Sequence, residues 1–371
     1  MTRIVVSGML AGVPHQGGAS WAVLQYVLGL RRLGHDVTFV EPACGGGAFP
    51  LSDSARYFGA VTAAFGLERA ALLDPASGET SGMSRRALLR AVRGADLLLN
   101  LSGALADEEL LGAVALRAFV DLDPAFTQLW ATEGVELGLD RHDRFVTIGM
   151  ALGTPRCAVP TGGRHWITTP QPLVLERWPV AERLVHDAAT TVGHWRSYGS
   201  IERGGVHYGQ KAHAVRTLLD LPGRTVTAIA PALAIHPGDD ADRSALRRRG
   251  WRLLDPAALA GTPWAYQAFV QGSWAELGLA KSGYVASRCG WFSDRSICYL
   301  ASGRPVVAHD TGFADWLPVG EGLLAFSTSA EAAAGLEALR SDYPRHRRAA
   351  RAIAVEHFDS DRVLARLLSC L

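Results

Sequence analysis

Four short stretches of this chain group side chains that could handle an anion or a proton. The first is GWFSDRSICYLASGRP, residues 290–305. A helix capped by Ser293 and stopped at Gly303 leaves backbone N–H groups free at its start, and these, with the helix dipole, favour an anion. Arg295 and the hydroxyls of Ser293 and Ser296 would add donors. Asp294 competes for the helix end, so it suits orienting Arg295 or a sugar hydroxyl. A plain capped helix with a solvated arginine accounts for the same letters. The second stretch is His15-Gln16-Gly17-Gly18. Gly17 and Gly18 let a backbone approach a ligand closely, and His15 suits a general base or a sugar-hydroxyl ligand. A glycine-rich turn without a ligand is the alternative. The third is FVDLDPAFTQLW, where Asp121 and Asp123 end a buried-looking run. A carboxylate there faces the cleft of an open α/β sheet and can accept a hydroxyl proton; Asp123 equally suits a turn before Pro124. The fourth is TTVGHWRSYG with HYGQK, which places Arg196 and Lys211 shortly after a strand. Two cations there suit a diphosphate, or are solvated surface charges.

Several chemistries lack their signatures. The glycine loop is neither GxGxxG nor a P-loop, so a dinucleotide fingerprint is absent. No GxSxG elbow supports a serine hydrolase. The 12 histidines are scattered without HxxxH or DxDxDG spacing, so no metal site is expected.

The elements that must hold these residues follow from periodicity. Arg3–Gly8 reads as a strand, residues 21–35 as a helix stopped at Gly34, and Val37–Val40 as a second strand, which together make a βαβ unit. Asp96–Asn100 and Ala118–Asp121 are apolar without alternation, as buried parallel strands are. Residues 153–180 are rich in Pro, Gly and Trp and read as a connection or a loop packed in a cleft. Ala189–Gly193 restarts the alternation. Strands are expected at Arg224–Ala230, Gly283–Ala286 and Pro305–Ala308, with helices at Asp240–Arg249 and 293–302. Helices at Ala330–Arg340, Arg345–His357 and Ser360–Leu368 close the chain. The expected fold is α/β: two doubly wound, Rossmann-like parallel-sheet lobes facing a cleft, with a helical C-terminal tail. The lobes are placed at 1–179 and 180–340, with the tail, 341–371, crossing back to the first lobe.

Composition narrows the classes. The chain has 371 residues, enough for two domains, and 37 basic against 36 acidic residues. A binder of nucleic acid through bulk charge is excluded. Five cysteines without a CxxC pair, among them Cys44, argue against a disulfide framework and fit a reducing cytoplasm. Residues 4–30 carry no Asp, Glu, Lys or Arg, but Pro14 to Gly18 break the run into pieces too short to span a bilayer. A cytoplasmic monomer or homodimer is expected. Of the ten tryptophans, Trp166, Trp178, Trp195, Trp264 and Trp291 fall in expected loops. Their faces could stack a base or sugar ring, or pack the lobes together.

The segment YLASGRPVVAHDTGFADWLPVGEGLLAF (299–326) resembles the C-terminal-lobe segment of GT-B glycosyltransferases, in particular the retaining group that uses nucleotide sugars. The Gly17-Gly18 loop with Gly34–Val37 is similar to that group's first βαβ unit, and TTVGHWRS to the strand opening its second lobe. The resemblance implies transfer of a sugar from a nucleoside-diphosphate sugar to a small-molecule acceptor, without a bound metal or other cofactor. The donor would lie on the second lobe, at Ser293–Ser296, Arg196 and Lys211. Gly17, Gly18, Asp121 and Asp123 would line the cleft on the acceptor side. A phosphorylase, an epimerase or a non-catalytic binder on the same scaffold is the alternative. That group's paired glutamates would fall at Gly290 and Cys298; both are missing, and either Asp294 and Arg295 substitute for them or the ribose is bound elsewhere. High Ala, Arg and Gly usage hints at a GC-rich genome, where such enzymes often decorate natural products.

Overall fold

The computed structural model describes residues 1–43 and 49–371; Cys44 lies outside them. The first sheet comprises β1 (Arg3–Ser7), β2 (Asp36–Pro42), β3 (Ala70–Leu73), β4 (Thr80–Gly82), β5 (Leu97–Leu101), β6 (Leu116–Asp121), β7 (Arg144–Thr147) and β8 (Trp166–Thr168), in the order β4-β3-β2-β1-β5-β6-β7-β8. Every pairing is parallel except β3 with β4. β1 is IVV-rich and buried on both faces, as a central parallel strand must be. A second sheet follows from β9 (His186–His194), β12 (Ile229–Ala234), β13 (Ser273–Gly278), β14 (Val306–His309) and β15 (Leu323–Phe326), all parallel, in the order β12-β9-β13-β14-β15. A small hairpin, β10 (Ile201–Arg203) with β11 (Val206–Tyr208), extends from the end of β9. Both sheets are doubly wound. Strand order reverses at β1/β5 in the first and at β9/β13 in the second, and at such points the carboxyl ends of the strands open onto a ligand crevice.

The sequence expectations err at several places. Gly283–Ala286 is not a strand but part of the helix Ser282–Ser287, and the strand sits earlier, at β13. A short apolar run does not distinguish the two states by period, and SWAELG carries a glutamate that made it look unlike a buried strand. The strand expected from Arg224 starts only at Ile229. Trp166 belongs to β8, and Trp264 lies in the helix Pro263–Gly272.

The lobes share one apolar core. Trp178, in the connection between the sheets, is fully buried. Its ring lies 4.9 Å from Trp21 of the first helix, Gly17–Arg32, and 6.2 Å from Tyr266 of the second lobe. Trp21 Nε1 donates to the Pro263 carbonyl at 2.7 Å. The last helix, Ser360–Cys370, crosses back and lies on the first helix, where Leu364 and Ser360 fill the space a side chain at Gly29 would need. Arg32 and Asp361 pair beside it.

Gly17 shows how closely the lobes meet. A Cβ there would lie 2.1 Å from the Thr262 carbonyl oxygen and 2.8 Å from that of Ala260. Both obstacles are backbone, so the lobes themselves must shift. Gly17→Ala is expected to destabilise the protein by about 1–3 kcal/mol, the usual range for overpacking. Thermal denaturation checks this: an unchanged midpoint would show that the first helix is not wedged against the second lobe.

Candidate functional site

The carboxyl ends of both sheets open on a shared cavity of about 510 Å³. From the first lobe come residues 14–19 after β1, Leu122 and Asp123 after β6, and Gln171 after β8. From the second come Val192–His194 at the end of β9, Ala234 at the end of β12, Leu279 and Lys281 after β13, and Trp291 with Ser293, Asp294 and Arg295.

The helix Asp294–Ala301 points its start at this cavity. Ser293 caps it, its hydroxyl accepting from the Arg295 N–H at 3.2 Å, and Gly303 at φ +67° stops it. Arg295 is buried rather than solvated. Its Nε donates to Glu276 Oε1 at 2.5 Å and its Nη1 to the Val192 carbonyl at 3.0 Å. Glu276 is wholly buried within β13, and its Oε2 has no partner among the described residues. Nothing in the sequence marked Glu276 except that an acidic residue inside an apolar strand has to be paired.

Lys211 is 8% exposed. Its Nζ lies so close to the end of β9 that a Cβ at Gly193 would be 2.9 Å away. It makes no hydrogen bond or ion pair among the described residues. Burial, with Arg295 beside it, pushes its pKa well below the ordinary lysine range. A buried cation without a counter-ion is costly, so this one is disposed to take an anion or lose its proton.

Two expected diphosphate ligands turn away. β9 runs on to His194, which buries Trp195 against Asp242. Arg196 is thereby carried to the outer face, where it pairs with Asp239 at 2.7 Å. Ser296 faces a small recess behind the helix, with His309 and Phe313, rather than the cavity. Asp294 does line the cavity.

On the first-lobe wall, Gly17 and Gly18 open the first helix, and Gln16 gives it no side-chain cap. The glycines therefore meet both the other lobe and the cavity. His15 has φ +64°, and its Nε2 lies 2.8 Å from Asp53 Oδ2. Its ring stands edge-on to Tyr57, 5.3 Å away. The loop before it rests on Glu41, whose buried carboxylate accepts from the N–H groups of Ala11 at 2.8 Å and Gly12 at 2.5 Å. Burial raises the Glu41 pKa to about 7 against those bonds.

Asp121, expected to be a base, does not reach the cavity. It is fully buried and accepts from Thr127, Thr147 and Gln128 side chains at 2.7, 2.7 and 2.8 Å and from the Asp123 N–H at 2.9 Å. Burial raises its pKa despite these donors. Its work is to hold the turn that presents Asp123. Asp123 does line the cavity, but Lys281 donates to both its oxygens, at 2.9 and 3.1 Å, and the hydroxyls of Tyr198 and Tyr284 donate to it as well. Lys281 was invisible to the sequence reading, because a strand set at Gly283 turns a strand-end residue into a leader.

The two glutamate positions of the resembled group are closed here. Gly290 has φ +75°, and a Cβ on it would lie 2.7 Å from the Ala151 backbone nitrogen of the first lobe. Cys298 is buried in the helix core. Among the described residues no cluster of three His, Cys, Asp or Glu side chains forms a metal site, and no helix is long and apolar enough to cross a membrane.

No protein-family model matches this sequence, and no curated protein matches it. Solved structures do match over the whole chain. One is an α-glucosyltransferase in complex with UDP-glucose and DNA containing an abasic site, at TM-score 0.64 and 12% identity, covering 99% of this chain and 98% of that one. Another is an α-glucosyltransferase in complex with UDP, at TM-score 0.61 and 12% identity, covering 100% and 99%. A third is HepE of Anabaena in complex with UDP and glucose, at TM-score 0.60 and 13% identity, covering 100% of both chains. At this identity the likeness is one of fold, and the fold is the two-lobed GT-B architecture.

Asp121→Asn replaces one accepting oxygen by a donor among donors. It is expected to lower stability by about 1–3 kcal/mol, read from a urea titration. An unchanged midpoint would mean that Asp121 does not hold the turn.

Proposed function

We propose that this protein is a glycosyltransferase, moving a sugar from a uridine-diphosphate sugar to a small-molecule hydroxyl. The observation that carries this reading is Lys211, a buried lysine with no ion-pair partner among the described residues, beside Arg295 and the helix start at Ser293. The resemblance of the 299–326 segment and the UDP in the matching solved structures point the same way.

In this reading the diphosphate lies between Lys211, the donors of Arg295 not used by Glu276 and Val192, and the amides of Gly17 and Gly18. Charge builds on the β-phosphate as the glycosidic bond breaks, and these fixed donors neutralise it without a metal. Asp294 takes a hydroxyl of the sugar or the ribose. His15, oriented by Asp53 through Nε2, offers Nδ1 to the acceptor proton. Arg196, Asp121 and Ser296 have no part in it. A small acceptor is supported by charge pairing on the surface: Arg56 with Asp53, Arg196 with Asp239 and Arg288 with Asp310 are less available to a nucleic-acid backbone. A natural-product acceptor is compatible with this reading.

Thermal shift without metal tests it. Under saturation at a hundred times the dissociation constant, UDP should stabilise the protein by about 2.7 kcal/mol, and Lys211→Met should remove the shift. Inorganic phosphate acting alone would favour a phosphorylase. No shift with UDP, GDP, dTDP, ADP or CDP would leave a non-catalytic protein.

The pH dependence has a definite sign. Lys211 has a depressed pKa in the empty cleft, and a bound anion restores it towards about 10.4. Binding therefore takes up a proton between the two values, and UDP affinity should fall as pH rises through that window. Calorimetry in buffers of different ionisation enthalpy measures the uptake. It should vanish in Lys211→Met; an uptake that persists would assign the proton elsewhere.

A further inference from the structure

The group around Asp123 joins the two lobes. Asp123 and Phe126 belong to the first; Tyr198, Lys281 and Tyr284 belong to the second. Lys281 Nζ lies 4.2 Å from the Tyr198 ring centroid and 5.1 Å from those of Phe126 and Tyr284. It is thus a cation in an aromatic box with walls from both lobes and a carboxylate as its cap. The box is buttressed on each side: Trp130 packs on Tyr198 at 4.5 Å and Trp291 on Tyr284 at 4.3 Å. The turn behind Asp123 is strained. Ala125 has φ +73° and ψ −53°, a conformation that costs a non-glycine residue about 1–3 kcal/mol. Gln128 holds it there by accepting the Ala125 N–H at 2.7 Å, while Asp121 fixes Gln128.

A carboxylate receiving one ammonium and two phenols is poorly placed to take an acceptor proton. We propose instead that Asp123 and Lys281, in their aromatic box, are an interlobe clasp that sets the closed form of the cleft. Each half is satisfied only when the lobes meet. Opening leaves Asp123 without its cation and its two phenols, and Lys281 without its carboxylate and the Phe126 wall, and such partners, half-buried here, are strongly interdependent. Lys281 also lies close enough to disfavour the charge of Lys211. On the donor-site reading above, a diphosphate between these lysines relieves their repulsion and strengthens the clasp, so nucleotide binding and closure favour each other.

The test uses the full-length protein. Small-angle X-ray scattering of the unliganded parent, Lys281→Met, Lys281→Arg and Tyr198→Phe reads closure without any ligand. Lys281→Met is expected to enlarge the radius of gyration, Tyr198→Phe to do so less, and Lys281→Arg, which keeps the cation, to stay near the parent. Circular dichroism establishes that each variant is folded, and Tyr198→Phe keeps the question decidable if Lys281→Met is not. Profiles identical to the parent for both Lys281→Met and Tyr198→Phe overturn the clasp. Titration with UDP then reads the coupling: Lys281→Met should bind about tenfold more weakly. An open Lys281→Met that binds UDP as tightly as the parent overturns the coupling. UDP failing to bind the parent sinks the donor-site reading, while the unliganded comparison still decides the clasp.

Discussion

A positive charge buried where two sheets face each other is the constraint around which this molecule is arranged. Lys211 and Arg295 both come from the second lobe, but among the described residues Arg295 forms an ion pair, with Glu276, and Lys211 forms none. Burying a cation costs several kcal/mol unless it is compensated. Helix starts, backbone amides and the crevice at the strand ends are all turned to the same point. Had the site been a structural ion pair, Glu276 could have been balanced by one cation. The second cation is what the proposed anion site rests on.

The cost of holding that charge is offset by interlobe packing. Trp178 joins the lobes through Trp21 and Tyr266, and the first helix is wedged by Gly17 against the Thr262 carbonyl. The last helix returns to lie on the first. These contacts explain why residues that read as ligand-contacting letters, such as Gly17, serve the architecture as well. A glycine that lets the backbone approach something does not say whether that thing is a substrate or another strand of the same chain. Here Gly17 meets the backbone of Thr262 and also lines the cavity.

The fold was legible because parallel strands buried on both faces announce themselves as unbroken apolar runs, and β1, β5 and β6 are such runs. The helix start at Ser293 was legible for the same reason: capping chemistry is local. The site was less so. Arg196 and Lys211 are equally basic and equally near β9, yet one is carried outward by the burial of Trp195 and the other inward. That choice is made by side-chain packing dozens of residues away. Asp121 and Asp123 differ by two positions, yet Asp121 ends β6 and is held in the core by Thr127, Gln128 and Thr147, while Asp123 lies in the turn beyond it and reaches the cleft. Glu276, within β13, and Lys281, just after it, were missed because that strand was set one element too late.

The closed positions at Gly290 and Cys298 bear on chemistry as well as on ancestry. A side chain at 290 would have to displace the backbone of Ala151 from the first lobe and adopt a left-handed conformation. The first-lobe loop at 149–151 and the turn at 288–290 are instead locked together, with the Ala151 N–H donating to the Cys289 carbonyl at 3.0 Å. A glutamate cannot simply be restored there without parting the lobes. On the proposed function, groups that recognise a donor would come from elsewhere on the wall, and the side chains nearest that turn that face the cavity are Trp291, Ser293 and Asp294. The missing carboxylate is thus a consequence of how tightly this chain closes: the space that would hold it is occupied by the other lobe.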